Sequence, residues 1–307
     1  MGKIAFVFAG QGAQYPGMGK ELYELSPAAK KVMDQAERLR PGTMDQCFLG
    51  SAEDLAITAN TQPCLFTVDV MCAAALLEKG VLPELCAGFS LGEVAAASFT
   101  GVLNFETSFA FIQERARLMQ NCAESAPGFM AAVLRLSNEM VISLCEKFEQ
   151  VYPVNFNAPG QVVVSGAVSQ KEAFMQAVSE QGGRAMPLKV GGAFHSPMMS
   201  GAAQALDGWL KHTMPHLPSV PLYANRTAKP YGADAAKLLC EQVDHPVLWE
   251  QTVRNMRDAG ADLFVELGPG TVLTGLIKKI IPDAAVCHVE NAASLNEAVA
   301  IIEGRNA

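Results

Sequence analysis

Leu85-Cys86-Ala87-Gly88-Phe89-Ser90-Leu91-Gly92-Glu93-Val94-Ala95-Ala96-Ala97 is the stretch on which the fold of this chain turns. A short apolar run, 85–89, passes through Gly-x-Ser-x-Gly into a helix-forming run, 91–97. A strand-to-helix turn of this kind needs small flanking residues. It exposes the serine hydroxyl and aims the following amide at a helix N-terminus, where an oxyanion can be held. The plainer alternative is a serine that only caps its helix. The same strand-then-helix grain recurs along most of the chain, with strands expected at 3–9, 85–89, 220–224, 263–267 and 284–289. Helical periodicity falls at 20–40, 62–79, 92–99, 105–122, 197–212, 246–259, 271–280 and 295–303. Alternation of this sort indicates an α/β layered architecture.

The middle has a different grain. Residues 130–136, 151–157, 161–166 and 184–190 read as strands, and 138–148 and 171–181 as helices, giving the β-α-β-β-α-β order of a ferredoxin-like unit. Ser169-Gln170-Lys171-Glu172 has the pattern of a capping box for the second helix. Pro127-Gly128 and Gly191-Gly192 punctuate the two ends. The expected organisation is therefore a discontinuous large α/β domain, residues 1–126 and 193–307, with a small domain inserted at 127–192.

Composition narrows the function classes. The 307 residues are 50% hydrophobic and 18% charged, which excludes a disordered or collagen-like chain. A formal net charge of -8 gives no broad attraction to a phosphate backbone, so no nucleic-acid partner is expected. The opening Lys3-Ile4-Ala5-Phe6-Val7-Phe8 is too short for a signal peptide core or a span and reads as a strand. No membrane partner and a cytoplasmic location are expected. The 8 cysteines show no Cys-x-x-Cys, and neither Cys nor His clusters at ligand spacing, so free thiols and no metal are expected.

A serine nucleophile needs a base, and there are 5 histidines. His212 and His216 flank a helix end and read as surface residues, while His245 precedes a proline at a helix start. His288, in the last apolar strand, is where a hydrolase would carry its base. His195 follows Gly191-Gly192-Ala193-Phe194 at the junction of the two domains, from which it can reach the cleft between them, and is preferred. The loop Gly10-Gln11-Gly12-Ala13-Gln14 satisfies neither phosphate-binding pattern, but it can turn an amide toward that cleft. Arg115 lies between Phe111, Leu118 and Cys122 on an otherwise apolar helix flank. A guanidinium there requires an anion, either a structural acid or the carboxylate of a substrate.

Taken together, Phe8-Ala9-Gly10-Gln11-Gly12-Ala13-Gln14, Gly88-Phe89-Ser90-Leu91-Gly92-Glu93, Glu114-Arg115, Val154-Asn155-Phe156-Asn157-Ala158-Pro159-Gly160-Gln161, Gly192-Ala193-Phe194-His195-Ser196 and Glu266-Leu267-Gly268-Pro269-Gly270 resemble the malonyl-CoA:acyl carrier protein transacylases. The blocks occur in that family's order. The resemblance implies a hydrolase-like large domain with a parallel sheet and nucleophile elbow, plus a small ferredoxin-like insertion. It also implies a ping-pong transfer from malonyl-CoA to the phosphopantetheine thiol of holo acyl carrier protein. No cofactor of the enzyme's own is implied, and the protein is expected to be a monomer serving fatty acid biosynthesis. The alternatives are a discrete acyltransferase of a polyketide pathway and a serine thioesterase.

By this resemblance Ser90 is the nucleophile and His195 the base, and the amides of Gln11 and Leu91 form the oxyanion hole. Arg115 holds the malonyl carboxylate, with Phe194, Gln62 and Asn157 also binding substrate. Phe194 occupies the position whose bulk, in relatives of polyketide synthesis, disfavours a 2-methyl substituent. The backbone at Leu248 is expected to orient His195. Two positions depart from the family pattern. Phe89 stands where histidine is usual, so altered packing beneath the elbow is expected, and Leu248 stands where Gln or Arg is common. The carrier protein is typically acidic, so Lys189, Lys278 and Lys279 are candidates for a basic rim.

Overall fold

The computed structural model describes residues 2–306. The first half runs β1 (Lys3–Phe8), α1 (Lys20–Leu25), α2 (Pro27–Leu39), α3 (Thr43–Leu49), α4 (Thr58–Glu78), β2 (Leu85–Gly88), α5 (Leu91–Phe99) and α6 (Phe105–Ser125). A second group follows: β3 (Gly128–Leu134), α7 (Asn138–Cys145), β4 (Val151–Ala158), β5 (Gln161–Ala167), α8 (Lys171–Glu180) and β6 (Arg184–Pro187). The chain ends with α9 (Ser200–Leu210), β7 (Leu222–Tyr223), α10 (Ala235–Glu241), α11 (Trp249–Asp258), β8 (Ala261–Leu267), α12 (Val272–Ile280), β9 (Ala285–Val289) and α13 (Ala292–Asn306).

Five strands form a parallel sheet in the order β7-β2-β1-β8-β9. Its strands are apolar almost throughout because both faces are covered. On β1, Phe6 and Phe8 point into a core built largely on α4, α5 and α6, while Ala5 and Val7 point into a second core with α11 and α12. Full burial of a phenylalanine contributes roughly 1.5–3 kcal/mol. α4 runs through the first core and is buried nearly all round, which explains its lack of an amphipathic stripe.

The second sheet has the order β4-β5-β3-β6, antiparallel throughout, which is the ferredoxin-like arrangement. One face packs on α7 and α8 around Phe129, Val133, Val164 and Phe174. Met130, Val154 and Val163, from the other face, join the main core of the molecule. The edge strand β4 is also tied to the segment before α11: Val247 N donates to Val154 O at 2.8 Å, and Phe156 N donates to Val247 O at 3.0 Å.

Several sequence expectations are corrected. The helix expected at 20–40 is two helices, because Ser26 caps α2 by accepting from Ala29 N while Pro27 takes the first helical position. The capping box at Ser169–Glu172 does not form. Val168–Gln170 is a 3-10 turn, so Ser169 falls inside the turn and α8 starts without a side-chain cap. β6 ends at Pro187 rather than residue 190, β7 is confined to Leu222–Tyr223, and α11 begins only at Trp249. α3 and α10 were not anticipated. No helix among the described residues is long and apolar enough to cross a membrane.

Candidate active site

β2 ends at Gly88, and α5 begins at Leu91 with Ser90 between them at φ 54°, ψ -107°. The turn is possible only because its flanking residues lack side chains. A Cβ on Gly88 would lie 2.0 Å from Gly92 C, and one on Gly92 would lie 2.2 Å from Phe8 O. Phe89 lies beside the turn with its ring edge-on to Trp249 at 5.5 Å, so an aromatic pair fills the space where the family usually has histidine.

His195 also has a positive φ, 62°, on the loop before a 3-10 turn at Pro197–Met199. Its backbone N donates to Val243 O at 3.0 Å. The ring bridges Ser90 Oγ, 2.7 Å from Nε2, and Gln242 O, 2.7 Å from Nδ1. A carbonyl can only accept, so Nδ1 carries the proton and Nε2 is left free to accept from the serine hydroxyl. Burial, reinforced by the nearby Arg115 guanidinium, pushes the imidazole down to about 4. The ring is thus neutral and basic at Nε2 across the physiological range.

The expected orienting role of the Leu248 backbone is corrected. Leu248 N donates to Asn225 O, and the carbonyl on His195 is that of Gln242. The α10 helix, absent from the sequence reading, delivers Gln242 to this place. The Gln242 side chain works as well: Nε2 donates to Ser90 O at 2.9 Å, and Oε1 accepts from Arg115 Nη2 at 2.8 Å.

Arg115 is 1% exposed. Its guanidinium donates to Gln62 Oε1 at 2.7 Å, Gln242 Oε1 at 2.8 Å and Ser90 Oγ at 3.2 Å, and its Nε has no partner. Every acceptor is neutral, and burial pulls the guanidinium down to about 10. A structural acid is therefore not what balances this charge by hydrogen bond. The side chain is preorganised for an anion arriving beside the serine. Gln62 completes the seat, with its amide nitrogen 3.6 Å from Met119 Sδ.

Ser90, His195, Phe194, Met119, Gln11 and Val190 help line a cavity of about 80 Å³. A second cavity of about 240 Å³ shares Gln11, Phe89, Asn155 and Leu188 with it and continues past Asn157 and Val272. Asn155 Oδ1 and Asn157 Oδ1 are buried and unpartnered there, so Asn157 lies along the approach rather than at the nucleophile. Leu91 is the first residue of α5, and neither its amide nor that of Gln11 donates to an acceptor among the described residues. His288 stands apart on β9, 3.6 Å from Glu290. Lys278 and Lys279 reach Ala284 O and Gln161 Oε1, and Lys189 is exposed.

The acyl transferase domain family matches residues 5–299. A curated relative, malonyl CoA-acyl carrier protein transacylase of Bacillus subtilis (strain 168), is 38% identical over 288 residues, covering 91% of each chain. The crystal structure of malonyl CoA-acyl carrier protein transacylase from Clostridium perfringens superposes with a TM-score of 0.95 at 34% identity, covering 99% of this chain and 98% of that one. A type II polyketide acyl carrier protein in complex with its malonyl-transacylase gives 0.93 at 34% identity, covering 97% and 99%.

Proposed function

The chain belongs to the acyl transferase family, among the malonyl-CoA:acyl carrier protein transacylases, and on that premise we propose that it moves a malonyl group from malonyl-CoA to the phosphopantetheine thiol of holo acyl carrier protein, supplying fatty acid biosynthesis. It is an [acyl-carrier-protein] S-malonyltransferase. The observation that carries this reading is a buried guanidinium, hydrogen-bonded only to neutral oxygens, 3.2 Å from a serine oxygen that also faces a neutral histidine.

In the first half-reaction His195 Nε2 takes the Ser90 proton as Oγ attacks the thioester carbonyl. The Gln11 and Leu91 amides, free of other acceptors, receive the oxyanion. The Oγ–C bond is kept, the C–S bond breaks, and the imidazolium returns its proton to the departing CoA sulfur. The second half-reaction is the mirror image: His195 deprotonates the carrier's thiol, sulfur attacks the malonyl ester, and Ser90 regains the proton. Arg115, Gln62 and Gln242 hold the far carboxylate in both steps. Phe194 closes the small cavity beside the acyl group.

The larger cavity, lined by Asn155 and Asn157 among others, suits the pantetheine arm. The exposed Lys189 and the lysines of α12 supply positive charge for an acidic carrier. One chain contains every group that the two steps use. A polyketide carrier and water as acceptor are the less favoured alternatives. Intact-mass spectrometry tests the proposal: the wild type gains one malonyl mass from malonyl-CoA and loses it to added holo acyl carrier protein, whereas Ser90→Ala gains none. CoA release with no adduct on the wild type would favour hydrolysis instead.

A further inference from the structure

Behind the nucleophile lies a group of buried polar side chains that the two transfer steps do not use. The positive φ of Ser90 is held only at a cost of about 1–3 kcal/mol unless its surroundings fix it. A single carboxamide spans this turn. Asn225 Oδ1 accepts from Ser90 N at 2.7 Å, and its Nδ2 donates to Gly88 O at 2.5 Å, joining the last residue of β2 to the nucleophile.

Asn225 is itself fastened through its main chain. Its N donates to Glu93 Oε1 at 3.0 Å, and its O accepts from Leu248 N at 2.8 Å. The same Glu93 oxygen accepts from Tyr231 OH at 2.7 Å. Asn225, Glu93 and Tyr231 are 1%, 0% and 7% exposed, so no solvent competes for these bonds. Burial raises the Glu93 carboxyl to about 7 against the pull of Tyr231 and the Asn225 amide. An acid kept in so unfavourable a place, with its second oxygen unpartnered, has little to offer the core as packing.

We infer that Asn225, anchored by Glu93 and Tyr231, is a positioning residue that fixes the Ser90 backbone, and with it both Oγ for attack and the Leu91 amide for the oxyanion. The inference rests on Ser90 being the acyl acceptor. Rotating the Ser90 peptide moves Oγ relative to His195 Nε2 and Leu91 N at once, and a displacement of about 1 Å costs roughly 100-fold in rate.

The test compares Asn225→Ala, Glu93→Gln, Glu93→Ala and Tyr231→Phe by single-turnover acylation with malonyl-CoA and by the rate of labelling with a fluorophosphonate. Affinity for malonyl-CoA is measured with each change in a Ser90→Ala background. Asn225→Ala is expected to slow acylation and labelling by roughly 100-fold with unchanged affinity. Glu93→Gln keeps an oxygen acceptor and retains the rate that Glu93→Ala loses, and Tyr231→Phe gives a smaller loss in the same direction. Labelling of Asn225→Ala at the wild-type rate overturns the inference. If that variant does not fold, the Glu93 pair decides, and equal labelling of Gln and Ala overturns it. A wild type that reacts with the fluorophosphonate but not with malonyl-CoA refutes the donor assignment alone, and the labelling comparison still decides Asn225.

Discussion

Replacing Arg115 by alanine is expected to abolish the choice of malonyl over acetyl while leaving serine chemistry in place. The guanidinium is 1% exposed, and its hydrogen-bond partners are the neutral oxygens of Gln62, Gln242 and Ser90. A malonyl carboxylate arriving there exchanges water for a charged fork in a site that water barely reaches. Removing one member of such a buried pair costs about 3–5 kcal/mol. At 1.36 kcal/mol per tenfold, kcat/KM for malonyl-CoA should fall roughly a hundred- to several-thousand-fold. Acetyl-CoA presents no carboxylate and should lose little. Arg115→Lys should fall between, since an ammonium keeps the charge but not the two-pronged geometry. The assay is single-turnover acylation of Ser90 with each donor, read by intact mass. An Arg115→Ala protein that still strongly prefers malonyl-CoA would refute the assignment.

Other outcomes follow from the same geometry. His195 is pushed down to about 4, so the rate of fluorophosphonate labelling should fall only as pH drops through that region, not near 6.5; in Arg115→Ala, which removes the neighbouring cation, that limb should move up. Because the folded-state pKa of His195 is depressed, its contribution to stability is full above the unfolded value of about 6.5 and is lost as pH falls toward 4. Gly92→Ala should lose at least ~1–3 kcal/mol in urea unfolding together with Ser90 reactivity, since the new Cβ would lie 2.2 Å from Phe8 O and 2.5 Å from Ala9 O. Asp69, fully buried with both oxygens unpartnered, is raised well above its usual value by burial and by Glu266. For this acid the folded state binds the proton more tightly, so its contribution to wild-type stability declines as pH rises above about 3.8. Asp69→Asn removes the titration, and its Tm advantage over wild type should therefore widen from pH 5 to pH 8; an advantage independent of pH would contradict this.

Ser90, His195 and Arg115 were legible in the sequence because each stands out against its local pattern: a hydroxyl in a strand-to-helix turn, a histidine after paired glycines, a cation on an apolar helix flank. Gln242 was not, because the group it lends to His195 is a carbonyl, which every residue possesses. The helix that delivers it is also short, Ala235–Glu241. Asn225 did carry a signal. It lies two residues past β7 of the parallel sheet, where the carboxyl ends of strands gather functional groups. The ferredoxin-like order was readable from alternating apolar runs, but strand lengths were not, since β6 stops at Pro187, and past it Leu188 keeps one bond to Met130 O while Leu188 and Val190 border the cleft. Ser26-Pro27 splits an otherwise continuous helical period because a proline belongs at a helix start.

The stitching of β4 to Val247 bears on how a long substrate arm gets in. An insertion joined to its host only where the chain crosses could tilt as a jaw, opening for each thioester and shutting behind it. Here β4, which carries Asn155 and Asn157 of the cleft, is also tied by main-chain bonds to the segment before α11, and a tie of this kind opposes tilting. On the proposed function, the pantetheine arm runs through the cavity that Gly12, Val272 and Asn157 line on its way to Ser90. On that footing the search of a flexible tether, rather than a closing jaw, is expected to set the pace of each exchange. Shortening the tether should slow turnover steeply, while loosening the loops at either end of the insertion should barely register.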